Sequence, residues 1–183
     1  LEGEPMGRKA YGKPATDDSN IYVAGAANTA FVDLRESSNA ELVIAKCREQ
    51  LGAGNTIYYT SLDAETAAAA GSNVVDKNGV CKAMSINNQS VYYIPESFTA
   101  TEITYTDDNT EGEEIRAIML PFVPTNKVTT AMPATFGKVD DVYTLTLAYT
   151  EFAKNTPMFA VANGESIIAT ASNVTIETSS KES

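Results

Sequence analysis

A mainly β fold of the α+β class is predicted by three observations on this sequence. Beyond Asp76 no helical period survives, and short β-branched and aromatic runs recur between turn signals. Between Ala30 and Asp76, short strand-like runs alternate with two helical stretches. Residues 1–20 are rich in Gly, Pro, Lys and Asp and carry no apolar period, so they read as an arm or linker.

The elements follow in order. Strands are expected at Ile21 to Ala24 and Ala30 to Leu34. In "SSNAELVIAKCREQLG" Ser38 and Glu41 have capping-box spacing. Ala40, Ile44, Cys47 and Leu51 then share one helix face, and Gly52 stops the helix. "NTIYYTS" is a strand, "LDAETAAAAG" a short helix ending at Gly71, and "SNVVD" a strand. This alternation predicts parallel pairing with crossovers, as a small α/β layer or as coils of a solenoid over 21–95. "VCKAMSI" and "SVYYI" follow as strands about the turns "KNG" and "NNQ".

From 96 to 183 the segments "TATEITYT", "EIRAIMLPF", "TTAMPATFGKV", "VYTLTLAYTEF" and "PMFAVANGESIIATASNVTIETS" predict an antiparallel β-sandwich of jelly-roll or Greek-key type. This region can also be continuous with 21–95 as one domain. Ile103 and Tyr105 alternate with polar neighbours, as in a half-buried strand, and Val142 to Tyr149 alternate in the same way. "AIMLPF", continuously apolar, predicts a segment covered on both sides or entering the centre of the core.

At 183 residues the chain is long enough to fold without disulfide staples. Acids outnumber bases 24 to 13, for a net charge of −11, which repels nucleic acid and anionic membranes. With no His there is no His-activated nucleophile and no imidazole metal ligand. No run approaches the roughly 18 apolar residues of a membrane span, so no membrane insertion is expected. The opening "LEGEPMGRKAYGKP" lacks the pattern of a signal peptide, which fits a cytosolic chain, a mature form or an excised piece. Cys47 and Cys81 can pair in an oxidising compartment, but two separate buried thiols are the expectation.

Three groups of residues are candidates for a site. Asp107, Asn109, Glu111 and Gly112 follow the opening rhythm of a calcium loop. The match then fails, because Ile118 stands where a bidentate Glu is needed and the flanks are strands. A solvated hairpin tip that would hold calcium only weakly is therefore expected, with no other cofactor. The doublets Tyr58-Tyr59 and Tyr92-Tyr93 lie on predicted strands, where neighbours point to opposite faces. Each doublet should bury one ring and expose the other, and an exposed Tyr can stack on a sugar or anchor a protein. Cross-strand packing is the blander account of the same residues. "LGAGNT" has its glycines between helix and strand, the reverse of a phosphate cradle. Asn88-Gln-Ser90 and Asn173-Val-Thr175 are glycosylation sequons in a host with that machinery. No catalytic motif is present, and a carboxylate-pair enzyme ranks last among the readings.

The order of "FVDLRE", "NTIYYTSLDAET", "SNVVDKNGVCKAMSINNQSVYYIPESFTATEITYT", "IMLPF" and "NTPMFAVANGESIIATASNVTIET" resembles a β-rich module found near the C-terminus of large surface or secreted proteins of Bacteroidota, often after leucine-rich repeats. The resemblance covers about Phe31 to Thr178. It departs from the module's pattern at Tyr105-Thr106-Asp107, where the family has Tyr-Thr-Arg, at Lys77-Asn78-Gly79, and at Asn155-Thr156-Pro157-Met158. It brings no active-site residue. It implies an extracellular or outer-surface location, a C-terminal piece or processed product, and a non-catalytic scaffold, adhesion or assembly role with protein or glycan partners. Carbohydrate binding through exposed Tyr side chains is the alternative. Residues 1–20 are candidates for self-assembly by strand addition.

Overall fold

The computed structural model describes residues 7–9, 30–52, 54–88, 93–108, 115–125, 131–147, 152–162 and 166–179. The predicted strand at Ile21 to Ala24 and most of the arm lie outside them. The described chain is mostly strand with two helices. In order these are β1 (Gly7–Lys9), β2 (Phe31–Asp33), α1 (Ala40–Leu51), β3 (Ile57–Tyr59), α2 (Ala64–Ala69), β4 (Val74–Val75), β5 (Val80–Asn87), β6 (Phe98–Asp107), β7 (Ile115–Ile118), β8 (Ala131–Val139), β9 (Val142–Leu147), β10 (Met158–Ala162) and β11 (Ile167–Ile176).

The expected crossovers are present. β1, β2, β3 and β4 are sequential neighbours and all parallel. Register pairs residues 24 apart (Gly7 with Phe31), then 26 apart (Phe31 with Ile57), then 16 apart (Tyr58 with Val74). One helix returns the chain between β2 and β3 and another between β3 and β4. Ala40, Ile44 and Cys47 of α1 are buried against Val32, Leu34, Tyr58 and Val74, as the helical period predicts.

The capping box is not formed. α1 starts at Ala40 with Asn39 as N-cap, and no side chain caps it. Gly52 ends the helix at φ 78°, its N–H donating to the Arg48 carbonyl at 3.0 Å. α2 is capped by Asp63, whose carboxylate accepts from Thr66 N–H at 2.9 Å, a bond that lowers the pKa of this carboxyl.

Beyond β4 the polarity of the sheet changes. The chain turns at Asp76–Gly79, where Gly79 N–H donates to the Asp76 carbonyl and Gly79 takes φ 73°. β5 then pairs antiparallel to β4 at Val75 and Cys81, β6 runs parallel to β5, and β11 runs antiparallel to β6. The result is one seven-stranded mixed sheet in the order β1-β2-β3-β4-β5-β6-β11. The break expected at 95/96 therefore does not separate two sheets, since β6 and β11 continue the sheet that β2 to β4 begin. "SVYYI" is not a strand where it is described, because Tyr93 and Ile94 lie in irregular chain before β6. β7 to β10 form a second, antiparallel sheet in the order β7-β10-β8-β9.

Three adjacent strands of the large sheet depart from simple alternation on one line. Cys81 of β5, Ala100 of β6 and, across from it, half-buried Val174 of β11 face the core, and so do Met84, Ile103 and Ala171 three residues away. Between them two successive residues turn outward in every strand: Lys82-Ala83, Thr101-Glu102 and Ser172-Asn173. Asn173 absorbs this in β11 with φ 54°, a left-handed conformation that Asn tolerates better than most residues. One continuous apolar cluster thus runs from Phe98 and Ile176 to Ile86, Tyr105 and Ile167.

Candidate functional site

The polar side chains that sequence reasoning did not single out gather at the ends of the short parallel strands. Asn55 precedes β3 and Asn73 precedes β4, and both are buried. β4 has only two residues while β5 has eight, so β4 does not reach the Ser85 and Asn87 end of the β5 edge. The two amides replace it. Asn73 donates to the Ser85 carbonyl at 2.8 Å and accepts from Ser85 N–H at 2.7 Å. Asn55 does the same for Asn87, at 2.9 and 2.8 Å. Each amide has the donor and acceptor of a peptide group, so each extends the ladder by one rung. Asn73 holds this position at φ 62°.

Replacing Asn73 by Ala is therefore expected to lower unfolding free energy by about 2 kcal/mol, from two lost hydrogen bonds at an otherwise satisfied edge. Asn73→Gly should recover roughly 1 kcal/mol of that, because it relieves the left-handed backbone. Urea midpoints check both values. Equal stability of Asn73→Ala and the parent would remove the ladder role.

Beside these amides lies a depression of about 70 Å³ lined by Arg48, Thr56, Tyr58, Ser72, Asn73, Ser85 and their neighbours. Arg48 reaches it from the last turn of α1. Its guanidinium donates to the carbonyls of Ala70 and Ser72 and lies over the Tyr58 ring, 5.6 Å from the centroid. It thus ties the C-terminal ends of both helices together, where a cation also suits the helix dipoles. Gly71, at φ 101°, lies against this guanidinium, and a Cβ there would collide with it.

At the opposite ends of the strands Arg35 forks onto Asp33, Nε to Oδ1 at 3.0 Å and Nη2 to Oδ2 at 2.8 Å, and reaches Glu96 at 2.8 Å. The hydrogen bonds that Arg35 donates to Asp33 raise the pKa of the guanidinium above its ordinary value. Glu96 also accepts, through its carbonyl, the Tyr59 hydroxyl proton at 2.8 Å. A third polar group lies where β6 ends; β6 and β7, on either side of the acidic run, belong to different sheets and so do not form the expected hairpin. Asp107, 2% exposed, pairs with Arg116 Nη2 at 3.1 Å and accepts from the Asn88 amide at 2.5 Å.

These positions correct the expected site. Tyr58 and Tyr59 do point to opposite faces of β3, but both faces are covered. Tyr58 lies in the cluster formed with α1 and α2, and Tyr59 in the main core, 6.1 Å edge-on to Phe98. Neither ring of this doublet faces solvent, at 3% and 4% exposure. Tyr93 is half-buried, 6.1 Å from Phe31, and Tyr92 lies outside the described residues. Asp107 is turned inward onto a cation instead of toward the loop, while Asn109 and Glu111 lie outside the described residues. Among the described residues, no group of three or more Cys, Asp or Glu is placed to hold a metal.

The thiols are free, and they fall in different clusters, Cys47 beneath α1 and Cys81 in the main core. Burial pushes both pKa values up, to about 11 for Cys81, so neither presents a thiolate near neutral pH. No described helix is long and apolar enough to cross a membrane.

Compared with known proteins, the chain matches no family model, and no curated protein or solved structure is significantly similar to it.

Asn55 and Asn73 did leave a trace in the sequence. Asn73 stands immediately before a short apolar strand in "NVV" and Asn55 two residues before one in "NTIYY", a repetition that marks where each strand enters the sheet.

Proposed function

We propose that this chain is a non-catalytic module of a bacterial surface or secreted protein, with a scaffold, adhesion or assembly role. The observation that supports this most is how the chain uses its polar side chains. Arg48, Arg35, Asn55, Asn73 and the Asp107–Arg116 pair each hold backbone or another side chain in place. What they build is a row of two- and three-residue parallel strands that passes into long strands of mixed direction. That is the architecture of a support. In the same proposal the two sheets pack as layers of a sandwich, supported by Ile118 of β7 and Ala160 of β10 sharing a buried cluster with β5, β6 and β11. Carbohydrate binding draws no support from the buried Tyr58 and Tyr59.

The test is labelling of intact, unpermeabilised producing cells, and of their culture medium, with an antibody raised against this chain. Signal on the cell exterior or in the medium is expected. Signal found only after permeabilisation would overturn the location, and with it the role.

A further inference from the structure

We propose that the outer edge of β2 is an exchangeable acceptor, into which residues 7–9 of a second copy of this chain insert in place of the chain's own β1. Four observations lead there. β1 is only three residues long and pairs in parallel, the weaker of the two ladder geometries, with Gly7, Arg8 and Lys9 opposite Phe31, Val32 and Asp33. β1 is the terminal strand of the seven-stranded sheet, so β2 becomes an open edge whenever β1 leaves. Twenty-one residues, 10–30, join β1 to β2, and a chain of that length can extend roughly 70–75 Å. A compact 183-residue body is roughly 40 Å across, so the tether is long enough for the arm to reach a neighbour.

The fourth observation is charge. Gly7 to Lys13 carries Arg8, Lys9 and Lys13 and no acid, in a chain whose net charge is −11. The basic stretch at 7–13, flanked by Glu2, Glu4, Asp17 and Asp18, is attracted to the acidic body of any copy, its own or another, and the contacts made are the same in either case. A tether of this length gives an effective concentration on the order of 1 mM, so a single exchange competes with self-pairing only near that chain concentration. Reciprocal exchange closes a two-fold dimer and lowers the concentration needed. This deepens the assembly role proposed above, yet it rests on the β1–β2 pairing alone, so cell labelling and strand exchange can fail independently.

The experiment traps the register in full-length chains. Arg8→Cys and Val32→Cys are made separately and together, since Arg8 and Val32 are register partners. The double variant should close an 8–32 disulfide within one chain, located by mass spectrometry. An equimolar mixture of the two single variants at about 0.5 mM should give 8–32 linked heterodimers, and about five-fold or more fewer at about 10 µM. Arg8→Cys mixed with Ser172→Cys, exposed on the far edge strand, supplies the background. Heterodimer no more abundant than that background would overturn the exchange. Failure of the double variant to close within one chain would overturn the pairing on which it rests.

Discussion

Stability is expected to hold up to about pH 9 and then to fall steeply, because buried acids, Cys81, Tyr58 and Tyr59 among them, keep their protons in the folded chain. Burial pushes Cys81 from 9.0 up to about 11 and Tyr58 from 10.0 up to about 12, and Tyr59 moves in the same direction for the same reason. Below pH 9 all three are neutral whether folded or not, so their contribution is fully present. Above pH 9 the unfolded chain releases the thiol proton that the folded chain retains, and above pH 10 it also releases the phenol protons. Unfolding is then favoured by up to about 1.4 kcal/mol per pH unit for each group, until pH passes the folded value. By pH 11 Cys81 alone accounts for about 2 kcal/mol on this scale, and the tyrosines add to it. Urea midpoints measured from pH 7 to 11 would show a plateau followed by a decline, and Cys81→Ala should make that decline shallower, the part left between pH 9 and 10 coming from the buried Cys47 thiol. A midpoint flat through pH 11 would mean that these groups are solvated in the folded state.

Removing the guanidinium that pairs with Asp107 is the second large effect. Arg116→Met leaves the Asp107 carboxylate buried with its amide contact from Asn88 but without its cation. Breaking a buried pair from one side costs about 3–5 kcal/mol, and the low end applies here because Arg116 keeps 13% of its side chain exposed, so water can approach. Asp107→Asn in the same background removes the orphaned charge and should recover most of the loss, to within about 1 kcal/mol of the parent. Denaturant unfolding of the two single variants and the double variant measures the coupling. A loss below about 0.5 kcal/mol for Arg116→Met would place the pair in the class of screened surface bridges.

The residues on which these two predictions rest also mark what could be read from the sequence. The face of α1 that carries Ala40, Ile44 and Cys47 was legible because helical period is a local property. So were most strands, and the parallel crossovers between them. The opposite orientation of Tyr58 and Tyr59 was legible too, since it follows from the pleat. What lies over each ring was not. Helices α1 and α2 return over one face of β3, and a core supplied largely by β5, β6 and β11 closes the other.

Asp107 was read with the loop because it begins a run of acids. Its inward turn depends on Arg116, nine residues on, in a strand of the other sheet. The sheet that crosses 95/96 was hidden for a related reason. Composition changes there, but which strands pair is decided at long range, and β6 pairs with β5 while β11 pairs with β6. The N-cap shows the limit of motif spacing: Ser38 and Glu41 stand three apart, yet the helix begins one residue later than that box requires.

The line of outward pairs at Lys82-Ala83, Thr101-Glu102 and Ser172-Asn173 has a consequence for folding. In a strand that alternates without interruption, sliding by two residues returns every side chain to its original face, so burial alone cannot tell the correct register from its even-numbered slips. Here such a slip would set the phase change of one strand against regular alternation in its neighbour and bury Glu102 or Ser172 opposite an apolar residue. The three phase changes act as a registration mark: β5, β6 and β11 match along their whole length in one alignment, the one in which the marks coincide.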